Sequence, residues 1–135
     1  MNIEDPSLKA GISPNLMNGL VGFQNHRIFC VIGAMPEERK GSQTILVDLK
    51  VEADISRSSQ SDNLKDTVDY VELAKICTVL AIENQYKLLE AYAADVLKHI
   101  FTKFAAAHSA WIRVKKPLGL PSAECTLIEL SKRRD

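Results

Sequence analysis

This chain has no excess of charge of either sign. Seventeen Lys and Arg offset seventeen Asp and Glu, so no net field draws it to nucleic acid or to an anionic membrane. No apolar run approaches the roughly 18 residues of a spanning helix. Glu4 and Asp5 near the N-terminus break the basic-then-apolar order of a signal peptide. Together these absences predict a cytoplasmic protein with neither a nucleic-acid nor a membrane partner. Cysteine is scarce: Cys30, Cys77 and Cys125 are odd in number and widely spaced, which predicts reduced structural thiols rather than disulfides or a metal cage. His26, His99 and His108 stand in no CxxC or HxxxH context, so no metal site is expected. A Gly-rich phosphate loop and a GxSxG elbow are also missing. If the chain is an enzyme, its chemistry falls to carboxylate, tyrosine and lysine.

What is present is ordinary globular material. The 135 residues are 46% hydrophobic and 25% charged, enough for one domain with a sizeable core. Residues 1–26 read as a loose N-terminal extension, punctuated by Pro6, Gly11 and Pro14. Residues 27–32 are β-branched and apolar and predict a strand. The cluster Pro36, Glu37, Glu38, Arg39, Lys40, Gly41 reads as an exposed turn. From 44 to 55 the alternation is strict. Ile45, Val47, Leu49, Val51 and Ala53 point one way, while Asp48, Lys50, Glu52 and Asp54 point the other, predicting one covered and one wet face. Residues 56–66 are polar and read as a loop. Helices are predicted over 71–83, apolar enough to be well buried, and 88–106. Strands follow at 110–115 and 124–130, and the basic tail Lys132–Arg133–Arg134 reads as solvated. Two strands, two helices and two strands predict an α+β fold: a four-stranded antiparallel sheet with both helices on one face.

Four residues stand apart. Glu90 shares a helical stripe with Ala93, Ala94, Leu97 and Phe101. A carboxylate facing apolar surroundings must be paired, protonated or used to bind something; the structural alternative is a first-turn Glu favoured by the helix dipole. Tyr70 lies where Asp66 or Asp69 can cap the first helix, so its hydroxyl is either free at the helix mouth or satisfied in the core. Lys116 ends the core-facing row Ile112, Val114, Lys116, a place suited to acid/base use unless the ammonium reaches solvent. Glu38 sits in the charged turn.

The strings Ile32–Gly33–Ala34–Met35–Pro36–Glu37–Glu38–Arg39 with Gln43, Ser61–Asp62–Asn63–Leu64–Lys65–Asp66–Thr67–Val68–Asp69–Tyr70, Leu88–Leu89–Glu90 and Val114–Lys115–Lys116–Pro117 resemble the dihydroneopterin aldolase family, from Ile28 to the C-terminus. The resemblance implies the tunnelling fold and a homo-oligomer, a tetramer or octamer of rings with sites between subunits. It implies a cytoplasmic aldehyde-lyase of folate biosynthesis that cleaves 7,8-dihydroneopterin with no metal, Schiff base or cofactor. Glu90 resembles the pterin anchor, with the backbone of Leu89 beside it. Tyr70, with Val68 near it, resembles the residue reaching in from a neighbouring subunit, where with Lys116 and bound water it would serve the proton transfers as a catalytic residue. Lys116 resembles the catalytic acid/base lysine, and Glu38 the carboxylate beside the substrate side chain. Two departures, Val31–Ile32 before Gly33 and the loop Leu118–Gly119–Leu120–Pro121–Ser122–Ala123, resemble the dihydroneopterin triphosphate (dihydromonapterin) epimerase branch instead. A pterin-binding ring protein without turnover is the third alternative.

Overall fold

The computed structural model describes residues 16–135. Along the chain come β1 (Asn18–Cys30), a 3-10 turn (Pro36–Lys40), β2 (Gln43–Asp54), the short helix α1 (Ser56–Ser61) and a second 3-10 turn (Leu64–Asp66). The helices α2 (Tyr70–Asn84) and α3 (Leu89–Lys103) follow, then β3 (Ala107–Lys116) and β4 (Thr126–Arg133). The strands form one antiparallel sheet in the order β1-β2-β3-β4. Helix α2 packs on β1, and α3 on β3 and β4. This is the α+β layout the sequence predicts. The alternation of β2 explains its central place: Ile45, Val47, Leu49, Val51 and Ala53 are all buried against the helices. No helix among the described residues is long and apolar enough to cross a membrane. Cys30 and Cys77 are buried, Cys125 is partly exposed, and all three are free thiols.

The largest departure from expectation is β1. Residues 1–15 lie outside the described residues, but the expected loose extension does not reach 26, because the strand begins at Asn18. A bulge between Phe23 and His26 hides it. Val21 and Phe23 pack on the core before the bulge, Ile28 and Cys30 after it, so the apolar residues change from odd to even positions and no single period of two spans the strand. Gly22 also removes a side chain from the pattern, because a Cβ there would lie 1.8 Å from the Leu49 carbonyl oxygen.

The bulge explains a second departure. Asp48, expected on the wet face, is 2% exposed. Asn25, at φ 55°, donates its N–H to Asp48 Oδ1 at 2.6 Å. Arg113 Nε and Lys115 Nζ meet Asp48 Oδ2 at 2.8 and 3.2 Å, and Lys115 also bonds the Asn25 side chain. Burial pushes the Asp48 carboxyl up. The Asn25 N–H and the two cations outweigh that and hold it below the ordinary value.

Other boundaries shift for local reasons. The polar stretch 56–66 folds into α1 and a 3-10 turn, closed by Asp62 at φ 54°, by the Asn63 side chain accepting from Lys65 N–H, and by Ser61 Oγ donating to Asp66. Helix α2 buries only Leu73, Cys77, Leu80 and Ala81. Its second apolar row, Val71, Val79 and Ile82, stays exposed because a single sheet covers one side of a helix. Helix α3 stops at Lys103, where Arg134 donates to the Phe101, Phe104 and Ala107 carbonyls. The end of the basic tail is therefore docked rather than solvated.

Asp48→Ala strands the Asn25 N–H and leaves Arg113 and Lys115 facing each other, so urea unfolding should show a loss of about 3 kcal/mol. In the parent, the stability from Asp48 is present above the ordinary carboxylate pKa and disappears as pH falls through its lower folded value. Unfolding curves of parent and variant should therefore converge in acid; a constant gap down to pH 2 would contradict this.

Candidate functional site

The chemistry-bearing residues meet where β3 ends. Lys116 follows Ile112 and Val114 on the core-facing row of β3, as its period predicts, but its ammonium is neither enclosed in apolar surroundings nor turned out to solvent. Nζ lies 2.6 Å from Glu38 Oε2, the two side chains being 13% and 19% exposed. Glu38 stands on the first 3-10 turn, whose start Pro36 favours. Its carboxylate also accepts from Gln43 Nε2 at 3.0 Å and from the Met35 N–H at 3.2 Å. Burial alone would raise the Glu38 pKa; Lys116, Gln43 and Met35 outweigh it and hold the group below the ordinary carboxylate range. A hydrogen-bonded cation and carboxylate thus sit side by side, a donor and an acceptor for proton transfer. The expected solvated turn is therefore half right: Glu37 pairs with Lys40 in solvent, while Glu38 turns inward.

Two glycines make room for the pair. Gly33 has φ 123°, and a Cβ there would lie 2.2–2.4 Å from the Glu38 carboxylate atoms. A Cβ on Gly119 would meet Lys116 Cε at 2.8 Å and Thr126 Oγ1 at 2.1 Å. Glu38 borders a shallow depression of about 250 Å³ that is also lined by Glu37, Gly41, Ser42, Gln43 and Leu118.

Leu89 and Glu90 open α3 at the same end of the molecule. The joint 85–88 that precedes them is tied to the Glu38 turn, because Gly33 N–H donates to the Tyr86 carbonyl at 3.0 Å. Arg39 Nη1 donates to Gly33 O and Tyr86 O at 3.0 and 3.2 Å, and Nη2 to Gln85 O at 2.9 Å. Of the stripe expected to enclose Glu90, Ala93 and Leu97 are buried, Phe101 is half-buried and Ala94 is exposed. The covered face of the helix is instead Tyr92, Ala93, Val96, Leu97 and Ile100, and Glu90 lies at its edge. In the single chain Glu90 is exposed, and among the described residues its carboxylate has no hydrogen-bond or ion-pair partner. Among the described residues no side chain caps this helix start, whose first main-chain N–H groups, like those of any helix, have no intrahelical partner.

Tyr70 and Val68 lie elsewhere. Asp69 caps α2, accepting from Val71 N–H at 2.9 Å. Tyr70, just inside that cap, is 61% exposed and its hydroxyl has no partner among the described residues, while the Val68 side chain is buried in the core. Lys103 at the end of α3 pairs with Glu72 at the start of α2, 3.3 Å apart, and Tyr92 Oη, from the first turn of α3, donates to Cys77 O midway along α2. The helices are therefore antiparallel. Tyr70 sits at one end and Glu90 at the other, about 22 Å apart along 15 residues of helix. One chain brings Glu38, Lys116, Leu89 and Glu90 to a single end and leaves Tyr70 and Val68 at the opposite one.

Three residues of this arrangement received no role from the sequence: Gly33, Arg39 and Gln43. Gly33 and Gln43 flank the charged turn, and a glycine directly after an apolar strand was the only available signal for the close approach. Gln43 also donates to Ile32 O at 2.9 Å, tying the carboxylate to the end of the β1 segment.

Comparison with known proteins gives consistent matches. The family model described as FolB: Dihydroneopterin aldolase matches residues 21–131. The dihydroneopterin aldolase of Bacillus subtilis is 33% identical over 85 residues, covering 63% of this chain and 71% of the relative. That of Methylorubrum extorquens is 28% identical over 90 residues, covering 67% and 69%. Among solved structures, E. coli dihydroneopterin aldolase in complex with neopterin superposes with a TM-score of 0.78 at 17% identity, covering 86% of this chain and 98% of that one. A Burkholderia thailendensis dihydroneopterin aldolase bound to guanine gives 0.73 at 16% identity, covering 90% and 93%. At these identities the two structures speak to the fold.

Gly33→Ala tests the geometry directly. The new methyl group should push the Glu38 carboxylate off Lys116 and force a strained φ, costing about 1–3 kcal/mol in unfolding free energy. A crystal structure of the variant that kept the 2.6 Å pair would contradict the role given to this glycine.

Proposed function

The chain belongs to the dihydroneopterin aldolase family, and from that premise we propose that it cleaves 7,8-dihydroneopterin by a retro-aldol reaction to 6-hydroxymethyl-7,8-dihydropterin and glycolaldehyde, a step of folate biosynthesis. The observation that carries the reading is the Lys116–Glu38 pair at the same end as an unpartnered Glu90. A pterin presents an amino group and a ring N–H side by side, and a free carboxylate at a helix start can accept from both. The main chain of Leu89 would border the same ring. With the ring anchored there, its dihydroxypropyl side chain would extend toward Glu38 and Lys116.

Cleavage requires one proton to leave the side-chain hydroxyl on the carbon beyond the breaking bond. That carbon becomes the aldehyde of glycolaldehyde. The bonding pair passes into the C=N system of the dihydropterin ring, giving an enamine. Protonation of the enamine carbon then completes 6-hydroxymethyl-7,8-dihydropterin. Because the ring accepts the electron pair, the reaction calls for no metal and no Schiff base. Lys116 and the Tyr70 hydroxyl are the acid/base groups assigned here, with bound water carrying the proton between positions. Glu38 holds the ammonium in place and faces the substrate hydroxyls.

Tyr70 enters this scheme from a second copy of the chain, with the Val68 main chain beside it. Two features favour a homo-oligomer with sites between subunits: the separation of Tyr70 from Glu90 along α2, and the uncovered row Val71, Val79 and Ile82. Epimerisation of the side chain uses the same intermediate, re-adding glycolaldehyde on the other face. Ile32 and the loop 118–123 keep it as the second reading.

Purified protein given 7,8-dihydroneopterin should release glycolaldehyde. Chromatography of the pterins should show hydroxymethyl-dihydropterin forming faster than monapterin; the reverse order would replace cleavage by epimerisation. Lys116→Ala should lower kcat by about 10²- to 10⁴-fold with guanine binding kept, while Glu90→Ala should weaken guanine binding about a hundredfold. Turnover untouched in Lys116→Ala would remove Lys116 from the mechanism.

A further inference from the structure

We infer that Arg39 is a positioning residue, its guanidinium locking the turn that carries Glu38 to the joint that precedes Glu90 and so fixing the spacing between the two halves of the site. The guanidinium donates to three main-chain carbonyls from two distant segments: Gly33 O on one side, Gln85 O and Tyr86 O on the other. Tyr86 O also accepts from Gly33 N–H, so the two segments are joined by a closed set of four hydrogen bonds. A lysine at 39 could not reproduce this set, because one ammonium nitrogen cannot fork across carbonyls approached by two guanidinium nitrogens.

The joint needs such a clamp. Gln85 closes α2 in the left-handed region at φ 47°, unfavourable for a residue with a side chain. The last carbonyls of α2 carry the negative end of its dipole, where a cation is stabilising. Leu88 gives α3 no side-chain cap on the far side of the joint. The joint is also held from beneath, where Tyr86 Oη donates to Asp95 at 2.5 Å and accepts from Asn84 at 2.8 Å. Those bonds fix the joint to the helices. Among the described residues, the hydrogen bonds that tie it to the turn are those of Arg39 and the Gly33 amide.

Arg39 thereby acts through its neighbour. Glu38 and Arg39 are consecutive on a 3-10 turn, where successive side chains point about 120° apart. One reaches Lys116, the other the joint. Holding Arg39 holds the rotation of the turn, and with it the direction of the Glu38 carboxylate toward Lys116, Gln43 and the Met35 N–H. The catalytic consequence rests on the aldolase reading; the clamp itself does not.

The test uses the intact protein in its native assembly with Arg39→Met and Arg39→Lys. Carbon-13 NMR titration of the Glu38 carboxyl, assigned with Glu38→Gln, reads the turn directly, and amide hydrogen exchange at Gly33 reads the clamp. In Arg39→Met the Glu38 midpoint should rise toward the ordinary carboxylate value, and Gly33 exchange should quicken by about tenfold or more. Turnover should fall about a hundredfold with guanine affinity within about threefold of the parent, since Glu90 is untouched. Arg39→Lys should fall between parent and Arg39→Met. An arginine that merely stabilised the fold would reduce the folded fraction and leave the Glu38 titration of that fraction unmoved. Unmoved titration and exchange in folded Arg39→Met, or in Arg39→Lys if the methionine variant does not fold, overturn the inference whatever the activity. A parent that releases no glycolaldehyde fails the aldolase reading instead, and the two NMR readouts still decide the role of Arg39.

Discussion

The antiparallel pairing of α2 and α3 across the short joint 85–88 is the constraint on which the rest of the structure depends. It returns the chain to the end of the sheet where β1 and β3 finish, so Glu90 starts its helix beside the turn bearing Glu38. The same pairing sends Tyr70 the full length of α2 away. The Lys103–Glu72 ion pair and the Tyr92–Cys77 hydrogen bond are incompatible with any parallel arrangement. A chain folded this way places Glu38, Lys116 and Glu90 at one end and Tyr70 at the other.

The sheet contributes register. Because β2 and β3 pair with Leu46 opposite Lys115, Lys116 ends its strand level with the start of β2, within reach of a turn only a few residues upstream. Slipping β3 by one residue would turn Lys116 to the other face and bring Lys115 inward. The Asp48 cluster resists that slip, since Arg113 and Lys115 are both fixed to one buried carboxylate. The bulge in β1 supplies the N–H that makes this carboxylate tolerable in the sheet. A structural ion cluster on one face thus keeps Lys116 in register with Glu38 on the other.

Periodicity carried most of what the sequence could tell. The alternation of 44–55 and the row Ile112, Val114, Lys116 locate the central strands and the facing of the lysine, because a buried face imposes period two on every residue it covers. Strand β1 was legible only after its bulge, which reverses the parity that a pattern search relies on. Asp48 looked exposed because its partners, at positions 25, 113 and 115, are distant in sequence. The stripe of Glu90 is fully covered only at Ala93 and Leu97, because α3 has apolar residues on more than one side and their spacing alone does not say which side the sheet covers. Arg39 and Gln43 act through hydrogen bonds to main-chain carbonyls and to one another's neighbours, and such contacts leave no residue pattern. The motif strings pointed to the family, whose resemblance supplied roles that spacing alone could not.

The division of the site between two chains is tested most directly by subunit complementation. Tyr70→Phe and Glu90→Gln variants, each inactive alone, are unfolded together, refolded as mixed assemblies and assayed for glycolaldehyde release. If each site takes Glu90 from one chain and Tyr70 from its neighbour, random mixing restores about a quarter of the sites to the full residue set. Activity should rise from the level of the single variants to about that fraction of the parent. Mixed assemblies no more active than the variants alone would mean that both residues serve a site within one chain, contrary to the fold described above.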